Sequence, residues 1–198
     1  MRCQKNITAI ILAGGKSSRM GTDKGLVNLN GKAMIANVLA SVRYIANNII
    51  IIANNYKYNQ FGYIVYGDIL KDCGPMGGIY SGLTYSTTEN NLVISCDIPF
   101  ISTELLEYII KNSNDCDIAV PVHNEKLEPL CAIYSKKCVQ KLKDLLLKKE
   151  LKMHDALSNF HVKPIVISPQ QNFYSEKLFQ NINSKNELKR AKEIINEN

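Results

Sequence analysis

A short apolar segment near the N-terminus is followed at once by a pair of glycines. The segment from Ile7 to Leu12 is rich in isoleucine, and Ala13 and Gly14-Gly15 come directly after it. A run of this length is typical of a strand that is buried on both faces of a parallel sheet. The glycines allow the backbone to approach a ligand and to present its N–H groups to an anion. The pattern therefore predicts a strand that ends in a phosphate-binding loop.

Basic residues continue this loop. Lys16, Arg19 and Lys24 follow the two glycines. Arginine and lysine side chains bind polyphosphates well, and Arg19 and Lys24 are the best candidates for this role. A glycine turn with basic residues is also typical of an ordinary solvated loop. The prediction of a binding site therefore depends on the whole segment and not on the glycine pair alone.

Two better known phosphate loops do not fit this sequence. The Walker A motif requires a glycine five positions before Gly15, and Ile10 stands there. The dinucleotide fingerprint requires Gly-x-Gly after the strand, whereas Gly14-Gly15 is followed by Lys16. The loop is therefore neither a P-loop nor a dinucleotide-binding turn.

Strand and helix patterns alternate along the rest of the chain. Short apolar runs predict strands at 48–53, 63–66, 92–95, 118–120 and 162–167. Helical spacing or capping signals predict helices at 34–42, 79–83, 102–110, 136–152 and 184–195. Ser102 is the predicted cap of the third helix, and Ser184-Lys185-Asn186-Glu187 is a capping box that opens the last one. Asn30-Gly31 predicts a turn, Asn54-Asn55 ends the strand at 48–53, and residues 73–78 predict a loop before the helix at 79–83. This order predicts one domain over residues 1–198, an α/β three-layer sandwich with a Rossmann-like, mostly parallel sheet.

Two aspartates follow predicted strands. Asp68 comes just after the run that ends at Tyr66, and Asp97 follows an apolar strand and precedes Pro99, which turns the chain away. Ligands of open α/β sheets gather at the carboxyl ends of strands. Magnesium binds through one or two carboxylates together with substrate phosphates, so Asp97 is the predicted Mg²⁺ ligand. Asn183 is a candidate for an additional amide oxygen near the ion.

The segment Leu12-Ala13-Gly14-Gly15-Lys16-Ser17-Ser18-Arg19-Met20-Gly21-Thr22-Asp23-Lys24 resembles the signature of the MobA-type molybdenum cofactor guanylyltransferases. The resemblance extends through nearly the whole chain. It implies a nucleotide-diphospho-sugar transferase-like fold and the transfer of GMP from GTP to Mo-molybdopterin. The products would be Mo-molybdopterin guanine dinucleotide and pyrophosphate.

The resemblance also implies roles for individual residues. The catalytic residues would be Arg19, Lys24 and Asp97, with Mg²⁺ on Asp97. The GTP-binding residues would be Leu12, Ala13, Gly14, Gly15, Lys24, Asp68 and Asp97. The segment from Glu128 to Tyr134 resembles one that borders the acceptor site before its own strand, although Glu128-Pro129-Leu130 stands where some relatives carry His-Pro-Thr. Ile52 aligns with a polar nucleotide contact of related proteins.

Composition limits the remaining classes. The net charge is +6, but the lysines are spread or lie on the helix at 136–152, and no basic stretch is interleaved with aromatics. We therefore expect an anionic small molecule as partner, and neither nucleic acid nor a membrane. The six cysteines lack CxxC spacing, and no signal peptide is evident, so a cytoplasmic protein with reduced thiols is expected. The three scattered histidines are interpreted as surface residues.

Alternatives to guanylyl transfer remain. A sister enzyme could transfer a cytidylyl group to the same cofactor, or a nucleotidyl group to a sugar phosphate or cobinamide phosphate. The Gly14-Gly15 pair argues against the cytidylyl-transferring enzymes, whose loop resembles Leu-Ala-Ala-Gly instead. A GTP-binding module without catalysis is a second alternative. The presence of Asp97 together with Arg19 and Lys24 argues against it. Proteins that handle molybdopterin and molybdoenzymes that receive the product are further candidate partners.

Overall fold

A computed structural model of the chain describes residues 6–14 and 23–196. The strands are β1 (Ile7–Leu12), β2 (Asn28–Leu29), β3 (Lys32–Ala33), β4 (Asn48–Ile52), β5 (Ile64–Tyr66), β6 (Asn90–Ser95), β7 (Ile118–His123), β8 (Lys126–Leu127), β9 (Cys131–Ser135) and β10 (Val162–Ile167). The α-helices are α1 (Met34–Val42), α2 (Gly74–Tyr85), α3 (Thr103–Asn112), α4 (Cys138–Leu147), α5 (Met153–Leu157) and α6 (Lys185–Asn196). Short 3-10 helices cover Lys24–Leu26 and Tyr56–Phe61.

One mixed sheet organises the molecule. Its strands lie in the order β10-β7-β9-β6-β1-β4-β5, with β8 paired to β7. Strand β1 pairs in parallel with β4 and β6, and its last residue, Leu12, is in register with Ile52 and Ser95. Strand β9 is antiparallel to both of its neighbours. The ends of β1, β4 and β6 therefore lie side by side at one edge of the sheet.

Apolar side chains cover both faces of the sheet. Along β1, Ala9 and Ile11 belong to the core under α1 and α3, whereas Ile10 and Leu12 belong to the core under α2, α4 and α5. All the residues of β1 are buried, which explains why the sequence shows an unbroken apolar run instead of an alternation. The predicted mostly parallel α/β sandwich is confirmed.

Glycines on α2 allow that helix to lie close to β1. A Cβ built on Gly82 would overlap the side chain of Ile10, and one on Gly78 would lie 3.1 Å from Leu12 Cδ2. A larger residue at position 82 would push the helix away from the strand, and one at position 78 would require Leu12 to shift by a few tenths of an ångström. The segment from Gly74 to Gly78 was expected to be a loop, but it forms the first turns of α2 because Pro75 is compatible with a helix start.

The remaining differences from the predicted elements concern their ends. The lysine-rich helix stops at Leu147, and Lys149 has a positive φ of 60°, so the chain leaves the helix before the short α5. Predicted turns and caps are confirmed at Asn30-Gly31, where φ is 51° and 84°, and at Ser102, whose hydroxyl accepts the N–H of Leu105 at 3.2 Å.

Candidate active site

The candidate site lies at the carboxyl edge of the parallel strands. The N–H of Ala13 donates to the carbonyl of Ile52 at 2.9 Å, and the N–H of Cys96 donates to the carbonyl of Leu12 at 3.0 Å. These bonds extend the pairing of β1 with both neighbours by one residue. Gly14 then leaves the sheet between the ends of β4 and β6, and it is exposed.

Asp68 lies on the β4 and β5 side of this point. A Cβ built on Gly14 would be 3.7 Å from Asp68 Oδ2, so the carboxylate stands directly beside the glycine. Asn54 holds the aspartate from two directions: its Nδ2 donates to Asp68 Oδ2 at 2.9 Å, and its Oδ1 accepts the N–H of Asp68 at 3.1 Å. Burial raises the pKa of Asp68, and the hydrogen bond from Asn54 opposes this effect.

Asp97 lies on the other side, just past the end of β6. The hydroxyl of Ser95 donates to Asp97 Oδ1 at 2.5 Å, and the ammonium of Lys24 lies 3.5 Å from Asp97 Oδ2. The same ammonium donates to Asn183 Oδ1. Lys24, Asp97 and Asn183 therefore meet in space although they are far apart in sequence.

Gly25 allows Lys24 to approach Asp97. Gly25 is buried against the hydroxyl of Tyr58. A Cβ atom added at this position would overlap that hydroxyl and would lie 3.1 Å from Cys96 Sγ. Since Cys96 directly precedes Asp97, the absence of a side chain at position 25 brings the backbone of Lys24 close to the aspartate.

Asn183 is brought to the site by the start of α6. The N–H of Ile182 donates to the backbone carbonyl of Asp97 at 2.9 Å. Ser184 caps the helix by accepting the N–H of Glu187 at 3.2 Å, and Glu187 Oε2 accepts the N–H of Asn183 at 2.7 Å. That backbone hydrogen bond is the main reason why the pKa of Glu187 is lowered. The predicted capping box thus fixes Asn183 as well as the helix.

The remaining predicted site residues divide into two groups. Gly15, Lys16 and Arg19 lie outside the described residues. Leu12 and Ala13 are buried at the end of β1, so only their backbone can reach a ligand. Ile52 is 1% exposed and belongs to the core, and the polar residue that reaches the edge beside it is Asn54.

Sequence reasoning missed Asn54 as a site residue and interpreted Asn54-Asn55 only as the end of a strand. The rule that identified Asp68 and Asp97, a polar side chain directly after a buried strand, applies to Asn54 as well. Ser95 was also missed, because its hydroxyl is the last side chain of β6 and no motif marks it.

The donor set of this edge is suited to a cation. Asp97 Oδ2 and Asn183 Oδ1 both face the Lys24 ammonium, so a carboxylate oxygen and an amide oxygen converge on one positively charged group. These are oxygen ligands of the kind that Mg²⁺ takes in small number beside substrate phosphates. Within residues 6–14 and 23–196 no group of three or more His, Cys, Asp or Glu side chains could hold a metal by itself.

A second group of polar residues lies next to β9. Glu128 is half-buried, and burial raises its pKa to about 7 although Lys126 opposes the effect. Together with His154 and other residues of the 125–128 segment it lines a cavity of about 500 Å³. The carbonyl of Leu130 accepts the N–H of Ser95 at 2.8 Å, so this segment adjoins the end of β6.

The expectation that all three histidines lie on the surface is wrong for His123. This residue ends β7, is 5% exposed and packs against Tyr174 and Phe179. Burial lowers its pKa. The segment that covers it follows β10 and has no regular pattern, so its position could not be inferred from the sequence. His154 and His161 are exposed, as expected.

The state of the cysteines and the length of the helices complete the description of the chain. Cys96 is a core residue, and burial raises the pKa of its thiol. The described cysteines, from Cys73 to Cys138, form no disulfide bond with one another. Across the part of the chain that the structure describes, the helices are too short or too polar to span a bilayer.

Comparisons with known proteins place the chain in a family. The sequence model of the family described as "MobA-like NTP transferase domain" matches residues 9–165. A protein of Flavobacterium johnsoniae named "probable molybdenum cofactor guanylyltransferase" is 40% identical over 185 residues, which cover 93% of this chain and 95% of that protein. A protein of the same name from Natranaerobius thermophilus is 37% identical over 204 aligned positions, covering 96% and 97% of the two chains.

A solved structure is similar over the same extent. The crystal structure of molybdopterin-guanine dinucleotide biosynthesis protein A from Archaeoglobus fulgidus has a TM-score of 0.83 and 27% sequence identity, and the match covers 96% of this chain and 100% of that one. The chain belongs to the MobA-like NTP transferase domain family. The predicted fold and the predicted nucleotidyltransferase class are confirmed.

Proposed function

We propose that the protein transfers GMP from GTP to Mo-molybdopterin in the presence of Mg²⁺ and releases pyrophosphate. The observation that carries this proposal is the order of groups along the edge of the sheet. A carboxylate for the base, Asp68, stands on one side of Gly14, and the cluster of Lys24, Asp97 and Asn183 stands on the other. A nucleoside triphosphate that crosses the glycine loop would have its base and its phosphates at these two ends.

Asp68 is the residue that we assign to the recognition of guanine. Guanine offers N1–H and its 2-amino group as adjacent donors, and a carboxylate can accept both. Asn54 fixes the direction of the Asp68 carboxylate through its two hydrogen bonds. Adenine lacks the donor at N1 and would leave an acceptor unpaired, at a cost of about 1 to 3 kcal/mol.

Phosphate transfer is assigned to the cluster of Lys24, Asp97 and Asn183. Lys24 offsets negative charge on the triphosphate, and Asp97 with Asn183 would hold the magnesium ion, which supplies neutralisation of phosphate charge when bound. Ser95 orients the carboxylate of Asp97 through its hydrogen bond. The reaction needs no nucleophile from the protein, because the acceptor phosphate attacks the α-phosphorus, and alignment and charge neutralisation are the main contributions of the chain.

The decisive experiment is incubation of the purified protein with GTP, Mg²⁺ and molybdenum-loaded molybdopterin, followed by mass analysis of the pterin product. A product heavier by one GMP unit, together with stoichiometric pyrophosphate, supports the proposal. Parallel incubations with CTP and ATP test the nucleotide. A preference for CTP would identify a cytidylyltransferase, and GTP binding without any product would identify a binding module; either result contradicts guanylyl transfer.

A further inference from the structure

The segment that follows β4 clamps the residue next to Lys24. Tyr58 is completely buried, and its hydroxyl donates to Asp23 Oδ1. Asn55 Nδ2 donates to Asp23 Oδ2 at 3.0 Å. Both oxygens of the Asp23 carboxylate are therefore held by one short stretch of chain, the 3-10 helix Tyr56–Phe61 and the residue before it.

The clamp is itself rigidly built. Asn55 Oδ1 accepts the N–H of Lys57 at 3.1 Å, which fixes the Asn55 amide so that its Nδ2 faces Asp23. The ring of Tyr58 belongs to the main core and packs near Phe61 with a centroid distance of 6.2 Å. Burial raises the pKa of Tyr58, and Cys96 and Asp23 act in the same direction, so the phenol keeps the proton that it donates.

The clamp acts on the backbone of Lys24. Asp23 directly precedes Lys24, and the carbonyl of Asp23 accepts the N–H of Leu26 at 3.1 Å, which closes the short helix that contains Lys24. Gly25, next in the chain, lies against the Tyr58 hydroxyl. Tyr58 thus touches the residues on both sides of Lys24. Fixing both neighbours fixes the direction in which the lysine side chain leaves the backbone.

We infer that Tyr58 and Asn55 are positioning residues that hold Lys24 in place through Asp23. This inference rests on the proposed function, in which Lys24 acts on the triphosphate. A lysine side chain has four rotatable bonds and loses considerable entropy when it is ordered. The clamp orders the backbone from which the side chain starts, so fewer degrees of freedom remain to be fixed by Asp97 and Asn183. Misplacement of an aligned group by about 1 Å can cost about a hundredfold in rate.

Two variants test the inference in the full-length protein. Tyr58→Phe removes only the hydroxyl. Asn55→Asp keeps the oxygen that caps Lys57 but replaces the donor to Asp23 with a negatively charged group. We expect each variant to lower kcat by about tenfold to a hundredfold. The KM for GTP should stay within about twofold of the wild-type value, because the groups at the Gly14 and Asp68 end are unchanged.

A double-mutant cycle separates positioning from simple loss of stability. If Tyr58 acts through Lys24, Tyr58→Phe should have almost no further effect on kcat in a Lys24→Ala background. Thr88→Val is the matched control. The Thr88 hydroxyl is buried and bonds Thr8 at the opposite edge of the sheet, so this variant should lose stability but keep its kcat per folded molecule.

A readout that needs no turnover completes the test. The rate at which a water-soluble amine reagent labels Lys24, measured by mass spectrometry of peptides, should rise several-fold in Tyr58→Phe and stay constant in Thr88→Val. An equal loss of kcat in the wild-type and Lys24→Ala backgrounds would overturn the inference, as would unchanged labelling. If the wild-type protein does not turn over GTP, the proposed function fails, and the labelling rates alone then decide whether the clamp holds Lys24.

Discussion

Asp97→Asn is the substitution that tests the site most directly. The change keeps the size and shape of the side chain but removes its charge. The amide oxygen can still accept the hydroxyl of Ser95, which bonds Asp97 Oδ1 at 2.5 Å. The amide NH₂ group would then face the ammonium of Lys24, which lies 3.5 Å from Asp97 Oδ2. The variant therefore loses one ion pair and a metal ligand while its packing is preserved.

The effect on stability can be bounded from this geometry. Two unit charges 3.5 Å apart attract by about 5 kcal/mol at an effective dielectric constant of about 20. Most of this is cancelled by desolvation and side-chain ordering, because the Lys24 and Asp97 side chains are 29% and 14% exposed. Measured values for exposed pairs reach about 1 kcal/mol. We expect a loss of about 1 kcal/mol, which corresponds to about 2–4 °C in Tm for a chain of this length.

The effect on turnover should be far larger. Removing one aligned electrostatic group typically costs about 3 to 4 kcal/mol in the transition state, or about a hundredfold to a thousandfold in kcat. Pyrophosphate release should be measured across a range of Mg²⁺ concentrations, because a lost ligand weakens Mg²⁺ binding and raises the Mg²⁺ concentration needed for the half-maximal rate. Asp144→Asn is the matched control, since it makes the same chemical change at an exposed position on α4.

Two results would refute this reasoning. A variant with a near wild-type rate and an unchanged Mg²⁺ dependence would show that Asp97 does not hold the metal. A variant that melts more than about 10 °C lower with normal turnover per folded molecule would show that Asp97 is mainly structural.

Three further predictions address other parts of the edge. Lys24→Ala should lower kcat by about a hundredfold to a thousandfold while Tm changes by only a few degrees; intact turnover per folded molecule would contradict this. Gly25→Ala should lower both Tm and kcat, because the new methyl group overlaps the Tyr58 hydroxyl and displaces Lys24. Circular dichroism melts measure the Tm, and pyrophosphate release measures the kcat. If neither value changes, the close packing at position 25 is disproved. The pKa of Glu128 rises from 4.5 to about 7 on folding, so its contribution makes the free energy of unfolding fall as pH rises through this range. Glu128→Gln should remove this pH dependence. The Tm of the variant minus the Tm of the wild type should therefore be larger above pH about 7 than near pH about 5. The same Tm difference at both pH values would argue against a raised pKa of Glu128.

The sequence was most informative where local chemistry decides structure. The apolar run of β1, the capping box at Ser184 and the aspartate after β6 each follow from a few neighbouring residues, and each was predicted at or near its position. The same holds for Asn183, because the capping box indicates where α6 begins. The contact between Asn183 and Lys24 could not be inferred from the sequence, because it depends on how the long segment after β10 crosses the molecule.

Contacts between distant segments account for what was missed. Tyr58 looks like an ordinary aromatic residue in a polar segment, and its bond to Asp23 requires that the end of β4 and the loop after β1 meet. His123 was assigned to the surface because it is one of three scattered histidines without the spacing of metal ligands. The aromatic residues that bury it, Tyr174 and Phe179, lie in a segment without periodicity.

The antiparallel direction of β9 explains how two substrates could meet at Asp97. Strands β1, β4 and β6 end at the functional edge, whereas β9 begins there because it runs in the opposite direction. The segment from Glu128 to Leu130, which leads into β9, is therefore bonded to Ser95 at the end of β6. Asp68 and Gly14 lie on the β1 and β4 side of Asp97, and Glu128 lies on the β9 side. Under the proposed function, the nucleotide and its acceptor would approach the metal ligand from opposite sides of Asp97. In-line transfer then requires the acceptor phosphate to attack the α-phosphorus opposite the departing pyrophosphate.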